Sequence, residues 1–330
     1  MQSITREKTV ELLRNIEKKT IAVIGDVMLD RYFWGSVSRV SPEAPVPVID
    51  VENETFHLGG ASNVAANLQS FGIEALLCGL IGEDNMGKTF IDIAGEQRIN
   101  PAGLYRDTTR PTTVKTRVIG NNQQIARLDR EVRDRISKAG AEHIMASLKS
   151  VNNLSGIIFS DYNKGTLTEE MILMIGAYAD LKGIPVFVDP KFDNFFAYKK
   201  AFLFKPNRKE ARQALGIEIK SKDDIEKAGN MLLQKLEAKN VLLTLGADGM
   251  MLFESNGEVS SVATKARHVA DVSGAGDTAI ATLAACVAGG ANIREAAELA
   301  NYASGAVCEQ PGIVSITKEM LLAAISNGTK

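Results

Sequence analysis

The sequence predicts an α/β fold of three layers, with a mainly parallel central sheet and a small second sheet. Three observations carry that expectation. Short, almost wholly apolar runs alternate with longer helical patterns along the 330 residues. The runs lack the polar alternation of strands with one wet face, so they read as strands covered on both sides. Two stretches interrupt the alternation with prolines and a turn signal, and read as added β structure.

Taken in order, the segment MQSITREKTVELLRNIEKK reads as an amphipathic helix with no signal-peptide features. Buried strands are expected at 21–27, 75–82, 156–160, 185–189, 201–205 and 241–246. Helices are expected at about 61–71, 86–98, 136–149, 168–181, 207–215 and 223–238, and the last third is helical from Gly276 onward. This is the βαβα order of a doubly wound unit, and one large α/β unit can be this long. Residues 31–57 carry Pro42, Pro45 and Pro47 among Val and Ile, which suits extended edge strands. Residues 110–128 read as a hairpin turning at Gly120-Asn121-Asn122. Both are taken as insertions in a single domain, together a small sheet covering the main sheet's carboxyl end as a lid.

Composition narrows the function. The chain is 45% hydrophobic and 24% charged, with a formal net charge of -2. No basic field invites nucleic acid or an anionic membrane, whereas a small anionic substrate needs only a few local cations. Cys78, Cys286 and Cys308 lie in apolar stretches without C-x-x-C pairing and read as buried, reduced thiols. No apolar run has membrane-spanning length, so a cytoplasmic protein is expected. His57, His143 and His268 show no metal-ligand spacing.

The stretch GEDNMGKT (82–89) satisfies the phosphate-loop pattern G-x-x-x-x-G-K-[ST] between a strand and a helix. Yet Glu83 and Asp84 would set two carboxylates beside a polyphosphate, and no strand ending in a partner aspartate stands out. A strand-to-helix turn with acidic residues at the helix start accounts for it better. Nor does a G-x-G-x-x-G follow the first strand, where VIGDVMLD stands, so a dinucleotide-binding oxidoreductase is disfavoured.

Other junctions are better placed for chemistry. In DVSGAGDT (271–278), Gly274, Ala275 and Gly276 precede an apolar helix, leaving unpaired N–H donors at a positive helix end. Asp277 stands beside that anion site, where a carboxylate can take a hydroxyl proton. A capped surface turn fits this stretch about equally well on composition alone. Leu58-Gly59-Gly60-Ala61-Ser62-Asn63 forms a second Gly-rich junction, with Asn63 offering an amide. KPNRKE (205–210) sets Asn207 as a cap with Glu210 three residues on, which is also a capping box. TLGADG (244–249) closes a further strand with turn glycines. All four fall at strand carboxyl ends, where open α/β sheets bind ligands.

With these residues in view, the chain resembles the ribokinase-like (PfkB) carbohydrate kinases over essentially its whole length. The amino-terminal signature corresponds to Gly59-Gly60-Ala61-Ser62-Asn63-Val64-Ala65, then Gly72 and Gly82, and the carboxyl-terminal one to Asp271 through Asp277. One position departs, Thr282 standing where the pattern prefers Gly or Ala. The resemblance implies Asp277 as general base and Gly274, Ala275 and Gly276 as the anion hole. It implies nucleotide contacts at Asn207, Glu210, Thr244, Gly246, Gly249, Asp271 and Asn301, and sugar contacts at Asp30, Gly59, Gly60 and Asn63. It implies ATP and Mg²⁺, the ion held through phosphates and water near Asn207 and Glu210 with no direct protein ligand, and leaves a monovalent cation open.

Asp30-Arg31-Tyr32-Phe33-Trp34-Gly35, the Ser38–Val48 stretch, PTTVKTRVIGNNQQIARLD (111–129) and SDYNKGTL (160–167) further resemble heptose 7-phosphate kinases. That similarity implies phosphorylation of the anomeric C1 hydroxyl of D-glycero-β-D-manno-heptose 7-phosphate, in ADP-heptose and lipopolysaccharide core synthesis. Many such kinases are fused to a nucleotidyltransferase. Nothing after Ser315 is long enough for one, so a stand-alone kinase is expected. The substrate's own phosphate needs cations; Arg39, Lys115, Arg117, Lys164 and Lys191 are candidates, Arg39 favoured for its proline-stiffened segment. Trp34 is expected in the lid or in a contact between two copies, which would make a homodimer through the lid. Two other readings stand beside this one: a kinase for another sugar or sugar phosphate, and a catalytically silent nucleotide or sugar sensor.

Overall fold

A computed structural model describes residues 4–264, 270–310 and 312–328; His268 lies outside them. The first half runs α1 (Arg6–Asn15), β1 (Thr20–Gly25), β2 (Val27–Val40), β3 (Pro47–Gly60), α2 (Ala61–Ser70), β4 (Glu74–Gly82) and α3 (Asn85–Glu96). Next come β5 (Asn100–Asp107), β6 (Val114–Gly120), β7 (Gln123–Arg130), α4 (Lys138–Ser150), β8 (Leu154–Ser160), α5 (Glu169–Lys182) and β9 (Val186–Asp189). The chain then forms β10 (Leu203–Phe204), α6 (Arg208–Leu215), α7 (Lys222–Leu236), β11 (Asn240–Thr244), β12 (Met250–Glu254) and β13 (Val259–Val262). It ends with α8 (Ala275–Ala288), α9 (Ile293–Cys308) and α10 (Lys318–Gly328).

Nine strands make the central sheet in the order β13-β12-β11-β10-β9-β8-β1-β4-β5. The seven from β11 to β5 are parallel, and β12 and β13 add an antiparallel margin. Side chains of one face pack with α1, α2, α3, α8, α9 and α10, and those of the other with α4, α5, α6 and α7. Ile21 and Val23 enter the first cluster while Ala22 and Ile24 enter the second. That is why β1 carries no polar alternation. Helix α8 is apolar around its circumference because it is buried from Asp277 to Cys286. No helix among the described residues is long and apolar enough to cross a membrane.

Three strands escape the sequence reading. β5 is written NPAGLYRD, whose Pro, Gly and charged residues hide it, and β12 and β13 form a hairpin beyond the last expected strand. The proline-rich segment also needs correction. Pro42 and Pro45 lie in the turn at 41–46 and Pro47 opens β3, but β2 is interior to a four-stranded sheet ordered β3-β2-β6-β7. Confining the prolines to the turn and to one strand end spares the β2 ladder. β6 and β7 meet at Asn121 and Asn122, whose φ of 50° and 62° suit a two-residue hairpin turn.

The GEDNMGKT stretch is a structural turn. Asp84 Oδ1 accepts from the Gly87 N–H at 2.9 Å and from the Thr112 hydroxyl at 2.7 Å, and Thr112 Oγ1 accepts from the Gly82 N–H at 2.9 Å. The glycine amide that a phosphate would need is already bonded to protein.

Asp26, the single residue between β1 and β2, joins the two sheets. Its N–H donates to Ser160 and its carbonyl accepts from Ala61, the first residue after β3. Its buried carboxylate accepts from the N–H groups of Tyr162 (2.8 Å), Lys164 (3.0 Å) and Thr166 (3.1 Å). Those bonds wind the turn after β8 around one side chain. Because a charged acceptor of three buried donors is lost, Asp26→Ala is expected to lower the unfolding free energy by at least about 3 kcal/mol. Urea titration would measure it; a loss below about 1 kcal/mol would mean the turn holds without this carboxylate.

Candidate active site

Helix α8 begins at Gly274, whose φ of 80° is left-handed and suits glycine, and no side chain caps its first turn. That end faces a cavity of about 740 Å³, although of the three expected donors the Ala275 N–H is already bonded to the Val272 carbonyl at 3.3 Å, a long contact within the turn. Asp277 is buried in that turn, and both carboxylate oxygens are engaged. Asn63 Nδ2 donates to Oδ2 at 2.9 Å, and the Tyr162 hydroxyl donates to Oδ1 at 2.5 Å. Burial pushes the Asp277 carboxyl up to about 6, against the two hydrogen bonds that favour its ionised form.

Asn63 is delivered by the Gly59-Gly60 junction, which ends β3 and starts α2. A Cβ at Gly59 would stand 2.2 Å from Asp30 Oδ2, so only glycine lets β3 approach Asp30 this closely. Asn67, one turn on, anchors the helix pair: its Oδ1 accepts from the Thr278 hydroxyl at 3.1 Å and from the Ile316 N–H at 3.0 Å.

The cavity brings together most of the residues read as nucleotide contacts. Asn207, Glu210, Thr244, Gly246, Gly249 and Asn301 all line it with the α8 turn. Asn207 and Glu210 do form a capping box on α6, so their local and functional readings coexist. Asn301 Nδ2 donates to the Ala263 carbonyl at 2.6 Å, linking α9 to the chain after β13. Asp271 does not line the cavity; its Oδ1 accepts from the Ser273 N–H at 2.9 Å, and its charge reaches Tyr32 and Arg117 on the small sheet. Among the described residues no group of three His, Cys, Asp or Glu side chains could cage a metal ion. The Asp189 and Glu210 carboxylates line the cavity, and their oxygens suit a divalent ion carried on a ligand's own phosphates.

The small sheet supplies the other side. Asp30 is buried and paired with Arg117, directly across from Lys115 on β6. Lys164 pairs with Glu131 at 2.6 Å. Burial and the neighbouring Lys164 hold the Lys115 ammonium below its ordinary value, and among the described residues no carboxylate forms an ion pair with it. Tyr32 and Trp34 stack at 5.7 Å, and Trp34 Nε1 donates to Thr55 Oγ1 at 3.1 Å.

Two of the cation candidates move. Arg39 stands exposed at the outer end of β2, nine residues along the strand from Asp30, roughly 30 Å at the rise of a strand. One chain cannot bring it to a ligand held at Asp30. Lys191 lies on the cavity side, paired with Glu210 and 5.6 Å from the Tyr162 ring centre. Burial opposes its charge, but Glu210, Asp189 and Asp277 together outweigh burial and raise it.

Sequence reasoning missed Tyr162, Asp189 and Lys205. Lys205 is buried with its Nζ 3.0 Å from Asp189 Oδ1, and a Cβ at Gly276 would lie 3.7 Å from that Nζ. The ion pair thus sits directly beside the α8 turn. Its signal was present: the apolar runs PVFVD and AFLFK both end on a charge at the sheet's carboxyl edge. Cys78, Cys286 and Cys308 are buried and free.

Comparison with known proteins gives this geometry a context. Residues 18–319 match the family model of the pfkB family carbohydrate kinases. The chain is 38% identical over 322 residues to the bifunctional protein HldE of Trichlorobacter lovleyi, covering 97% of this chain and 66% of that protein. It is 42% identical over 306 residues to HldE of Nitratiruptor sp., covering 92% and 64% respectively. The chain therefore spans somewhat under two thirds of the length of these curated relatives. Among solved structures, Escherichia coli phosphofructokinase-2 in complex with fructose-6-phosphate superposes with a TM-score of 0.78 at 17% identity, over 95% of this chain and all of that one. Arabidopsis thaliana ribokinase complexed with ribose and ATP superposes with a TM-score of 0.73 at 18% identity, over 94% and 99%. The fold is ribokinase-like.

The raised Asp277 carboxyl has a measurable effect on stability. The folded chain keeps a proton there up to about 6, whereas an exposed aspartic acid ordinarily loses it near 3.8. Stability from this site therefore falls as pH rises from about 4 to about 6, and stays low above that. Asp277→Asn removes the cost, and is expected to stabilise the fold by up to about 3 kcal/mol near pH 7.5 and by almost nothing near pH 4. Thermal unfolding at the two pH values checks this; an equal gain at both would show that charge burial is not its source.

Proposed function

We propose, on the premise that the chain belongs to the pfkB carbohydrate kinase family, that it transfers the γ-phosphoryl of ATP to the anomeric hydroxyl of a heptose 7-phosphate. That the chain is a sugar kinase, a phosphotransferase acting on a sugar hydroxyl, follows from its family. The finer reading is supported by the similarity to HldE proteins and by the cation pattern of the small sheet. The observation that carries it is Asp277, buried in the α8 turn on the cavity wall and bonded to Asn63 from the helix that follows β3.

In this reading the sugar binds under the small sheet, its hydroxyls held by Asp30, Asn63 and the Gly59-Gly60 backbone. The hydroxyl to be phosphorylated faces Asp277, which takes its proton as the oxygen–phosphorus bond forms. The bond from the γ-phosphorus to the leaving ADP oxygen breaks, and the charge on the transferring group is met by the α8 N–H groups at Gly274, Ala275 and Gly276. Lys205 and Lys191 add positive charge from the cavity wall. The nucleotide lies along Thr244, Gly246, Gly249 and Asn301. Mg²⁺ bound on its phosphates would supply charge neutralisation, with Asn207 and Glu210 nearest to it. Lys115 and Lys164 are the best-placed cations for the substrate's own phosphate. The small sheet acts as a lid, and its exposed Trp34 and Val51 suit contact with a second copy, which would also bring Arg39 toward the neighbouring site. A reaction that draws on ATP and a free sugar phosphate suits the cytoplasm, and that is the location this reading proposes.

A kinase for a different sugar phosphate is the second reading, favoured by the likeness in fold to phosphofructokinase-2. ATP consumption measured with heptose 7-phosphate, fructose 6-phosphate, ribose and unphosphorylated heptose separates the two. Heptose 7-phosphate is expected to be preferred by at least about tenfold in kcat/KM, since its phosphate adds charge-assisted contacts. Preference for an unphosphorylated sugar would overturn the assignment of Lys115 and Lys164 as well. Asp277→Asn is expected to cut kcat by about 10²-fold or more, within the range of a lost general base, while nucleotide binding by calorimetry is little changed. Lys88→Ala, which alters the GEDNMGKT lysine, is expected to leave kcat and the nucleotide KM within about twofold of wild type, as for an exposed side chain outside the site.

A further inference from the structure

Tyr162 lies within SDYNKGTL, where sequence reading gave a role only to Lys164, yet its hydroxyl makes the shortest contact to Asp277, 2.5 Å to Oδ1. The contact is built from below. Tyr162 sits in the turn wound around Asp26, its own N–H donating to Asp26 Oδ2 at 2.8 Å. The Lys164 and Thr166 N–H groups complete that anchor. The Lys191 ammonium, itself paired with Glu210, stands over the ring 5.6 Å from its centre. Backbone and ring are therefore both fixed before the hydroxyl reaches the carboxylate.

Each carboxylate oxygen has two lone pairs. Asn63 takes one on Oδ2 and Tyr162 one on Oδ1, which leaves a defined remainder for an incoming hydroxyl. Both are donors, so both favour the ionised carboxylate that a base must be. The other charged groups around Asp277 are Asp189 and Lys205, at the ends of β9 and after β10, and Lys191. Asp189 opposes ionisation and Lys205 favours it. Asp30 adds its charge at the Tyr162 hydroxyl.

We propose that Tyr162 is a positioning residue for Asp277, fixing which lone pair meets the acceptor hydroxyl and keeping the carboxylate ionised at neutral pH. This rests on the reading of Asp277 as the base. Burial, and the negative charge of Asp277 next to it, hold the Tyr162 phenol well above its ordinary value, so it remains a donor throughout the working range.

The test is the pH profile of kcat/KM, taken with the sugar phosphate that the wild-type chain turns over fastest. Tyr162→Phe keeps the ring, the Lys191 contact and the backbone bonds, and loses only the hydroxyl. Removing a donor to the ionised form raises the carboxyl, so the acid limb should move up by about one pH unit. The variant should lose about five- to tenfold at pH 6 or below, and stay within about threefold of wild type near pH 8.5. The ATP KM should stay within about twofold. Site-specific 3-fluorotyrosine at 162, a stronger donor of the same shape, should shift the limb the other way. A uniform loss at all pH values, or a limb that stays in place in both variants, overturns the proposal. Wild-type turnover in Asp277→Asn overturns the base assignment instead, so the two failures read differently.

Discussion

The site depends on how one carboxylate disposes of three backbone N–H groups. Asp26 ends the first strand at the point where strand order reverses, β8 lying on one side of β1 and β4 on the other. Such a reversal opens a crevice at the strand ends, and ligands bind there in open α/β sheets. Here the crevice is lined from Asp26 outward. Its backbone joins β8 to the start of α2, and its side chain shapes the turn that carries Tyr162 and Lys164. Asn63 arrives on α2 and Tyr162 on the turn, and both meet Asp277 from opposite sides. A buried charge satisfied by three backbone donors is rigid, and that rigidity is passed to both neighbours of Asp277.

The carboxylate at the centre is held under opposing demands. Burial disfavours its charge, and the donors from Tyr162 and Asn63 favour it. The balance at about 6 leaves Asp277 mostly ionised at neutral pH yet basic enough to accept a proton. The same burial costs stability, a familiar condition of functional sites. Asp161, at the start of the same turn, is also raised to about 6, by burial first and then by the nearby Asp26, although Tyr198 and the Asn163 N–H donate to it. The turn thus gathers several acids whose charges the fold must accommodate together.

Much of this was legible in the sequence because it is written in backbone chemistry. Glycines at 59–60 and 274–276 announce close approach and helix starts, and the apolar runs announce buried strands. The family signatures then join them. What stayed hidden depends on three-dimensional company. Tyr162 is an ordinary turn residue until Asp26 aims it, and Lys205 is one lysine of many until Asp189 buries it. Asp271 lies within a signature, yet its charge reaches the small sheet and not the cavity, which no spacing rule conveys. β5 and β13 were overlooked because edge strands can carry Pro, Gly and polar residues that interior strands cannot, and β12, though apolar, is a short run lying close behind the last expected strand.

The way the small sheet is attached also decides how it can move. It is continuous with the main body at Asp26-Val27 and at Gly60-Ala61, and a third joint is stiffened by Asp84 on Thr112 and by Arg110 on Asp107 and the Asp134 carbonyl. A stiff ribbon fastened at one end behaves as a lever. Asp30 is four residues from the fulcrum at Asp26 and Arg39 thirteen, so a given rotation displaces Arg39 about three times as far. The reacting end of a ligand would be held where the arm scarcely travels. The far end could travel widely without disturbing the alignment at Asp277.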